Sequence, residues 1–243
     1  MRVKSDRPAR NGGWLHRIAG AMPVSTPHVR TPPRAPARRA VNWAALLQRF
    51  ARDTRATDVE RLAAALGVSP GSLSRLGVAW AAPHRAWAFP MHNALRETTG
   101  VRLRAENGKK WAVSGSRNGL FWPTDLTGAG PLLFCEGPSD TAALLDLGYD
   151  AIGRPSCTGA VDLVIEVVRH LRVRDVVAVA DADEQGLDGA DRLARALTEA
   201  GHRPKIIRPL AGRDARAWVR GGATRAVVDA AIASARYWRA PGG

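Results

Sequence analysis

From Asn42 onward the apolar positions Trp43, Leu46, Leu47 and Phe50 recur at three- and four-residue spacing, and Val59, Leu62, Ala63 and Leu66 repeat the pattern. This spacing predicts two amphipathic helices, the second closed by Gly67. In the next segment, "GVSPGSLSRLGV", Ser69 is placed to cap a third short helix and Pro70 to begin it, with Leu73 and Leu76 facing inward. Two helices so spaced match a helix-turn-helix, and equally match a pair that only packs around a glycine turn. Between Trp80 and Trp122 the apolar period shortens to that of strands. "VRLRAENGKKWAV" sets Asn107-Gly108 between two alternating runs, a strong hairpin signal. With a two-residue loop, Glu106 faces Lys109 and Arg104 faces Trp111. Arg102, Arg104, Lys109 and Trp111 then share one face, with Val101, Leu103 and Ala105 on the other. A face of this kind, joined by Lys110, is suited to holding phosphates and stacking on bases; the alternative is an ordinary solvated sheet face.

From Gly130 the pattern becomes a regular alternation of strands and helices. "PLLFC" reads as a buried strand, Ser139 to Leu147 as a helix closed by Gly148, and "DAIG" as a short strand. A helix from about Ala160 to Leu171, the strand "VVAVA", a helix through Leu193 and Leu197 closed by Gly201, and the strand "PKIIRPL" follow. This predicts an α/β fold with a mostly parallel, doubly wound sheet, whose ligands bind beyond the C-terminal strand ends.

Charge divides the chain differently. Residues 1–40 carry nine basic side chains and one acidic, and include Pro23, Pro27, Pro32, Pro33 and Pro36 without apolar periodicity. They read as a flexible basic arm or as a leader without function. Residues 41–125 hold twelve basic and six acidic side chains, a basic α+β subdomain; residues 126–243 hold fifteen of each and form the α/β domain. The whole excess of +14 therefore lies in the first half, and favours a polyanionic partner. The two cysteines, Cys135 and Cys157, suit a reducing cytosol rather than a disulfide scaffold, and do not supply a structural zinc site. No apolar run is long enough to span a bilayer, and a cytoplasmic location with no membrane partner is expected.

The carboxylates decide the chemistry. Glu136 directly follows "PLLFC", Asp181 and Asp183 follow "VVAVA", and Asp214 lies just past "PKIIRPL", so three strand ends of a parallel sheet deliver acids to one edge. Such a cluster persists most easily around a divalent cation, and magnesium accepts a few carboxylates completed by water and phosphate oxygens. The i, i+2 spacing in "DADEQG" turns Asp181 and Asp183 to one side, and Gly186 is placed to turn the chain into the next helix. In "EGPSD", Gly137 allows close approach of backbone to a phosphate or ion. Asp140 lies about one helical turn from Glu136, near enough to join the site or cap the helix.

In "EGPSD", "DADEQG" and "LAGRDARAWV", over about Gly130 to Gly222, the sequence resembles the TOPRIM domain of DnaG-type primases, topoisomerases, small recombination proteins and certain nucleases. The resemblance implies a magnesium site at Glu136, Asp181 and Asp183, with manganese as an alternative ion, and with Glu136 acting as acid or base in phosphoryl transfer. Asp140 and Asp214 match further acidic positions of primase-type members. A flavodoxin-like domain with acids as helix caps is the plain alternative.

Accessory features choose among TOPRIM activities. Tyr149 lies inside the predicted fold and Tyr237 near the end, and no domain presents either as a topoisomerase nucleophile; "ENGKKW" is not a phosphate loop, so neither an ATPase nor a fused helicase is expected. The basic segment ending in "SRNGLFWP" resembles the subdomain preceding TOPRIM in DnaG-type and phage primases, without their zinc-binding module. The expectation is magnesium-dependent nucleotidyl transfer on single-stranded DNA from nucleoside triphosphates, with any helicase supplied in trans. A TOPRIM nuclease and a non-catalytic DNA-binding accessory factor are the competing readings.

Overall fold

The computed structural model describes residues 7–8, 14–15 and 41–240. Within the first forty residues, β1 (Arg7–Pro8) pairs antiparallel with β2 (Trp14–Leu15); the rest of that stretch, and with it the reading as a flexible basic arm, lies outside the described residues. The described residues 41–240 form one compact unit.

That unit begins with α1 (Trp43–Arg52), α2 (Ala56–Leu66) and α3 (Pro70–Arg75). Asn42 caps α1 by accepting from the Ala45 N–H at 3.0 Å, and Ser69 caps α3 through the Ser72 N–H at 3.1 Å, each satisfying a donor that a helix start leaves free. Ser69 also donates its own backbone N–H to Asp146 at 2.7 Å, at the far end of a later helix. The start of α3 is thus tied to that later helix, while α2 and α3 bury Leu62, Leu66 and Leu73 in the core. The two helices pack around the Gly67 turn.

An antiparallel sheet in the order β3-β4-β5-β6 follows, built from β3 (Ala79–Ala81), β4 (Ala86–His92), β5 (Thr98–Arg104) and β6 (Lys110–Ala112). The second sheet comprises β7 (Leu132–Glu136), β8 (Asp150–Arg154), β9 (Val176–Val179) and β10 (Lys205–Ile207), all parallel in the order β10-β9-β7-β8. Its helices are α4 (Gly137–Asp146), α5 (Val161–Leu171), α6 (Glu184–Glu199), α7 (Ala215–Arg220) and α8 (Arg225–Ser234). The strand and helix alternation expected from Gly130 onward is present, as a mixed α/β fold with a helix-flanked parallel sheet.

Two consecutive residues stitch the sheets together. Leu120 exchanges both backbone hydrogen bonds with His92 at the end of β4 (2.8 and 2.9 Å), and Phe121 does so with Gly153 in β8 (2.8 and 3.0 Å). Leu73, Trp87 and Phe89 from the first half and Leu133, Ala142 and Val177 from the second belong to one apolar cluster. Because a shared core of this kind resists relative motion, it fixes the antiparallel sheet against the edge of the parallel one.

The hairpin departs from expectation. Its partners are Leu103↔Trp111 and Arg104↔Lys110, one residue away from the predicted pairing. The Ala105 N–H donates to Lys109 O at 2.9 Å and the Gly108 N–H to Ala105 O at 2.9 Å, so the loop is the three residues Glu106, Asn107 and Gly108. Gly108, at φ +85°, supplies the left-handed residue that closes a three-residue loop. A one-residue slip reverses every side chain of the strand: Trp111 joins the apolar side with Phe50, Val101 and Leu103, while Lys110 takes the side of Arg102 and Arg104.

Candidate functional site

The C-terminal end of the parallel sheet carries the acids. Glu136 is the last residue of β7, and the chain turns at once into α4 through Gly137 at φ +76°, a backbone conformation that favours glycine. Asp181 follows β9. Asp183 caps α6 by accepting from the Gly186 N–H at 2.8 Å, and Asp214 caps α7 by accepting from the Ala217 N–H at 2.6 Å. Asp140, 7% exposed in the first turn of α4, accepts from the Arg216 backbone N–H at 2.9 Å. Gly186 does not turn the chain: it lies within α6, where an added Cβ would come within 2.6 Å of Asp181. Its value is the close seating of the helix on that acid.

All five carboxylates line one cavity of about 480 Å³. Arg102, Arg104 and Lys110 from the antiparallel sheet line it too, with Arg213 and Arg216 beside Asp214. Of the basic residues expected at the site, Lys109 lies instead near the Trp111 ring, its Nζ 6.0 Å from the centroid, and neither of these two lines the cavity. Sequence reasoning passed over Arg213 and Arg216, although both stand in the quoted segment "LAGRDARAWV". It also passed over Arg154, which ends β8 just as Glu136 ends β7. The same rule, a charged residue directly after an apolar strand, singles it out.

Like charges dominate each wall. Burial, and then the Asp214 carboxylate, push Asp140 up to about 7, while the Arg216 N–H pulls it down. Burial, followed by Glu136, Asp214 and Asp183, pushes Asp181 up to about 6. Burial and the nearby Arg216 guanidinium lower Arg104. Yet among the described residues that line the cavity the only ion pair is Arg216 Nη2 to Asp214 Oδ2, at 3.9 Å. The two walls face each other largely unpaired, so that one remains able to take cations and the other anions.

No three His, Cys, Asp or Glu side chains among the described residues converge closely enough to hold one metal ion. The donor chemistry nevertheless fits a divalent cation. The acids offer hard oxygen donors, Asp140 and Asp183 each spend one carboxylate oxygen on a backbone N–H and keep the other, and magnesium binds through one or two carboxylates completed by water and phosphate.

Among solved structures, the Escherichia coli primase catalytic core superposes with a TM-score of 0.61 at 15% identity, over 79% of this chain and 79% of that one. The chain has the fold of a primase catalytic core. The Aquifex aeolicus primase, with zinc-binding and RNA polymerase domains, gives 0.66 at 13% identity over 79% of this chain and 60% of its own. A bacteriophage T7 assembly, in which primase domains of two gp4 subunits bind an RNA/DNA hybrid and dTTP, gives 0.57 at 13% identity over 72% of this chain and 91% of the matched one. No family model and no curated protein matches the sequence. In this fold the acidic edge belongs to the parallel sheet and the basic face to the sheet before it. No helix among the described residues is long and apolar enough to cross a membrane.

Proposed function

We propose that the chain is a magnesium-dependent nucleotidyltransferase that makes or extends short oligonucleotides on single-stranded DNA. The observation that carries this reading is the single cavity in which five acids and five basic side chains meet with one 3.9 Å ion pair between them. A site for neutral or simply cationic ligands has no use for both walls; a metal–triphosphate complex bears both charges and needs both.

One or two of Glu136, Asp181 and Asp183 would hold the ion, its other positions taken by water and substrate phosphate, with Asp140 and Asp214 completing the acidic lip. When bound, magnesium, or manganese in its place, neutralises phosphate charge and makes a hydroxyl more acidic. Arg102, Arg104 and Lys110 bind template and nucleotide phosphates from the antiparallel sheet, and Arg213 and Arg216 do so from the α7 side. The 3′-oxygen forms a bond to the α-phosphorus of an incoming nucleoside triphosphate, pyrophosphate leaves, and the hydroxyl proton passes to Glu136. The T7 primase domains seen with an RNA/DNA hybrid and dTTP lend support through their shared fold. A helicase partner, on this reading, is a separate chain.

The test is one assay with labelled single-stranded template, nucleoside triphosphates and magnesium. Incorporation is expected from the parent and is lost, by more than about 10³-fold, in the double variant Asp181→Asn, Asp183→Asn, which melts no lower because neither acid is in the core. Strand hydrolysis without incorporation, or equal incorporation by the double variant, would overturn the proposal.

A further inference from the structure

Arg154 is 2% exposed. It ends β8 as the register partner of Glu136 in β7, and partners in parallel strands project to the same side of the sheet from backbones about 4.8 Å apart. Its Nη1–H donates to the Cys157 carbonyl at 2.6 Å, its Nε is buried without a hydrogen-bond partner, and no carboxylate among the described residues forms an ion pair with it. The loop that receives it cannot readily give way: Cys157 is pressed against α6 at Gly189, where a Cβ would come within 2.5 Å of the Cys157 carbonyl oxygen.

A guanidinium withdrawn from water in this manner is costly unless nearby charge compensates it. Burial lowers the pKa of Arg154, and Glu136 and, more weakly, Asp181 favour its charged form against that burial. The acids in turn repel one another, and a fixed positive charge behind them relieves that repulsion without occupying the face where substrate enters.

We propose that Arg154 is a built-in counter-cation of the acid cluster, which moderates how tightly the cluster takes up a divalent ion. The inference rests on the metal site of the nucleotidyltransferase reading. With one positive charge permanently inside, the acids hold an ion less firmly, and the ion is completed by the phosphates that arrive with substrate rather than locked in beforehand.

Isothermal titration of the full chain with manganese alone tests this, without recourse to activity. Arg154→Gln removes the charge but keeps a donor for the Cys157 carbonyl, and is expected to bind manganese about tenfold more tightly than the parent. Arg154→Lys keeps the charge and is expected to stay within about twofold. Equal or weaker binding by a folded Gln variant would overturn the inference and leave the metal site standing. So would a Lys variant whose affinity moves more than about fivefold, or one that does not fold, since Arg154 would then be a determinant of the fold. If the parent itself takes up no manganese, it is the underlying metal site that fails.

Discussion

In the parallel sheet a functional residue is placed by where a strand stops, whereas in the antiparallel sheet it is placed by which way a strand faces. Glu136, Asp181 and Arg154 stand at or just past the ends of β7, β9 and β8, and strand direction alone brings them to one edge. Arg102 lies within its strand, Arg104 ends it and Lys110 begins the next, so the parity of the hairpin register decides whether they face the cavity or the core. The first rule tolerates an error of one residue; the second does not. The difference also separates two jobs. The strand-end wall is acidic and mutually repelling, suited to chemistry, while the sheet-face wall is basic and suited to gripping a polymer.

Glu136 separates the two walls most strongly. Replacing Glu136 by Gln should slow incorporation by roughly 10² to 10⁴, the usual contribution of a positioned acid or base, while single-stranded DNA affinity stays within about twofold. Turnover measured at saturating template, beside a fluorescence anisotropy titration, gives both quantities. Equal losses in rate and affinity would mean that the two walls do not divide the work.

The opposite wall should show the reverse, with smaller effects. Arg104→Ala and Lys110→Ala are expected to weaken binding of unrelated single strands and to flatten the log–log salt dependence by about 0.7 for each phosphate that is no longer neutralised. Trp111→Ala serves as the internal contrast. Its indole packs with Val101 and Leu103, so the variant should lose roughly 1 to 3 kcal/mol of stability and leave the salt slope unchanged. Anisotropy titrations at several salt concentrations, together with urea melts, distinguish these outcomes. A Trp111 variant with normal stability and weakened binding would show that the ring stacks on a base after all.

How much could be read from the sequence follows the same division. The acids were legible because an apolar run followed immediately by a carboxylate is a local signal, repeated at Glu136 and Asp181 and needing no knowledge of neighbouring strands. The face of Trp111 was not legible, because Asn107-Gly108 is compatible with two loop lengths, and only the bond from the Ala105 N–H to Lys109 O selects one. The packing of α3 depended on Asp146, 77 residues from Ser69, a separation that periodicity cannot bridge. Arg213 and Arg216 were hidden for a different reason. In a chain with 36 basic residues two more arginines carry no signal until folding sets them opposite Asp140 and Asp214.

The smallest expected effect probes the repulsion within the acidic wall itself. In the folded chain the Asp140 carboxyl is pushed up to about 7, first by burial and then by Asp214; in the unfolded chain it titrates near the ordinary value of about 3.9. Between these values the folded state binds the extra proton, so ionising Asp140 costs stability as pH rises through this window, and the cost is complete above it. Asp140→Asn removes that cost and retains an acceptor for the Arg216 N–H. In metal-free buffer containing a chelator, the variant should melt about 2 to 8 °C above the parent at pH 8. At pH 4, where the parent carboxyl is also neutral in the folded state, the two should agree within about 2 °C. Saturating magnesium should shrink the difference at pH 8, because the ion stabilises the charged parent and not the amide. Scanning calorimetry at the two pH values checks each expectation, and a variant that melts below the parent at pH 8 would show that Asp140 supports the fold as a carboxylate rather than straining it.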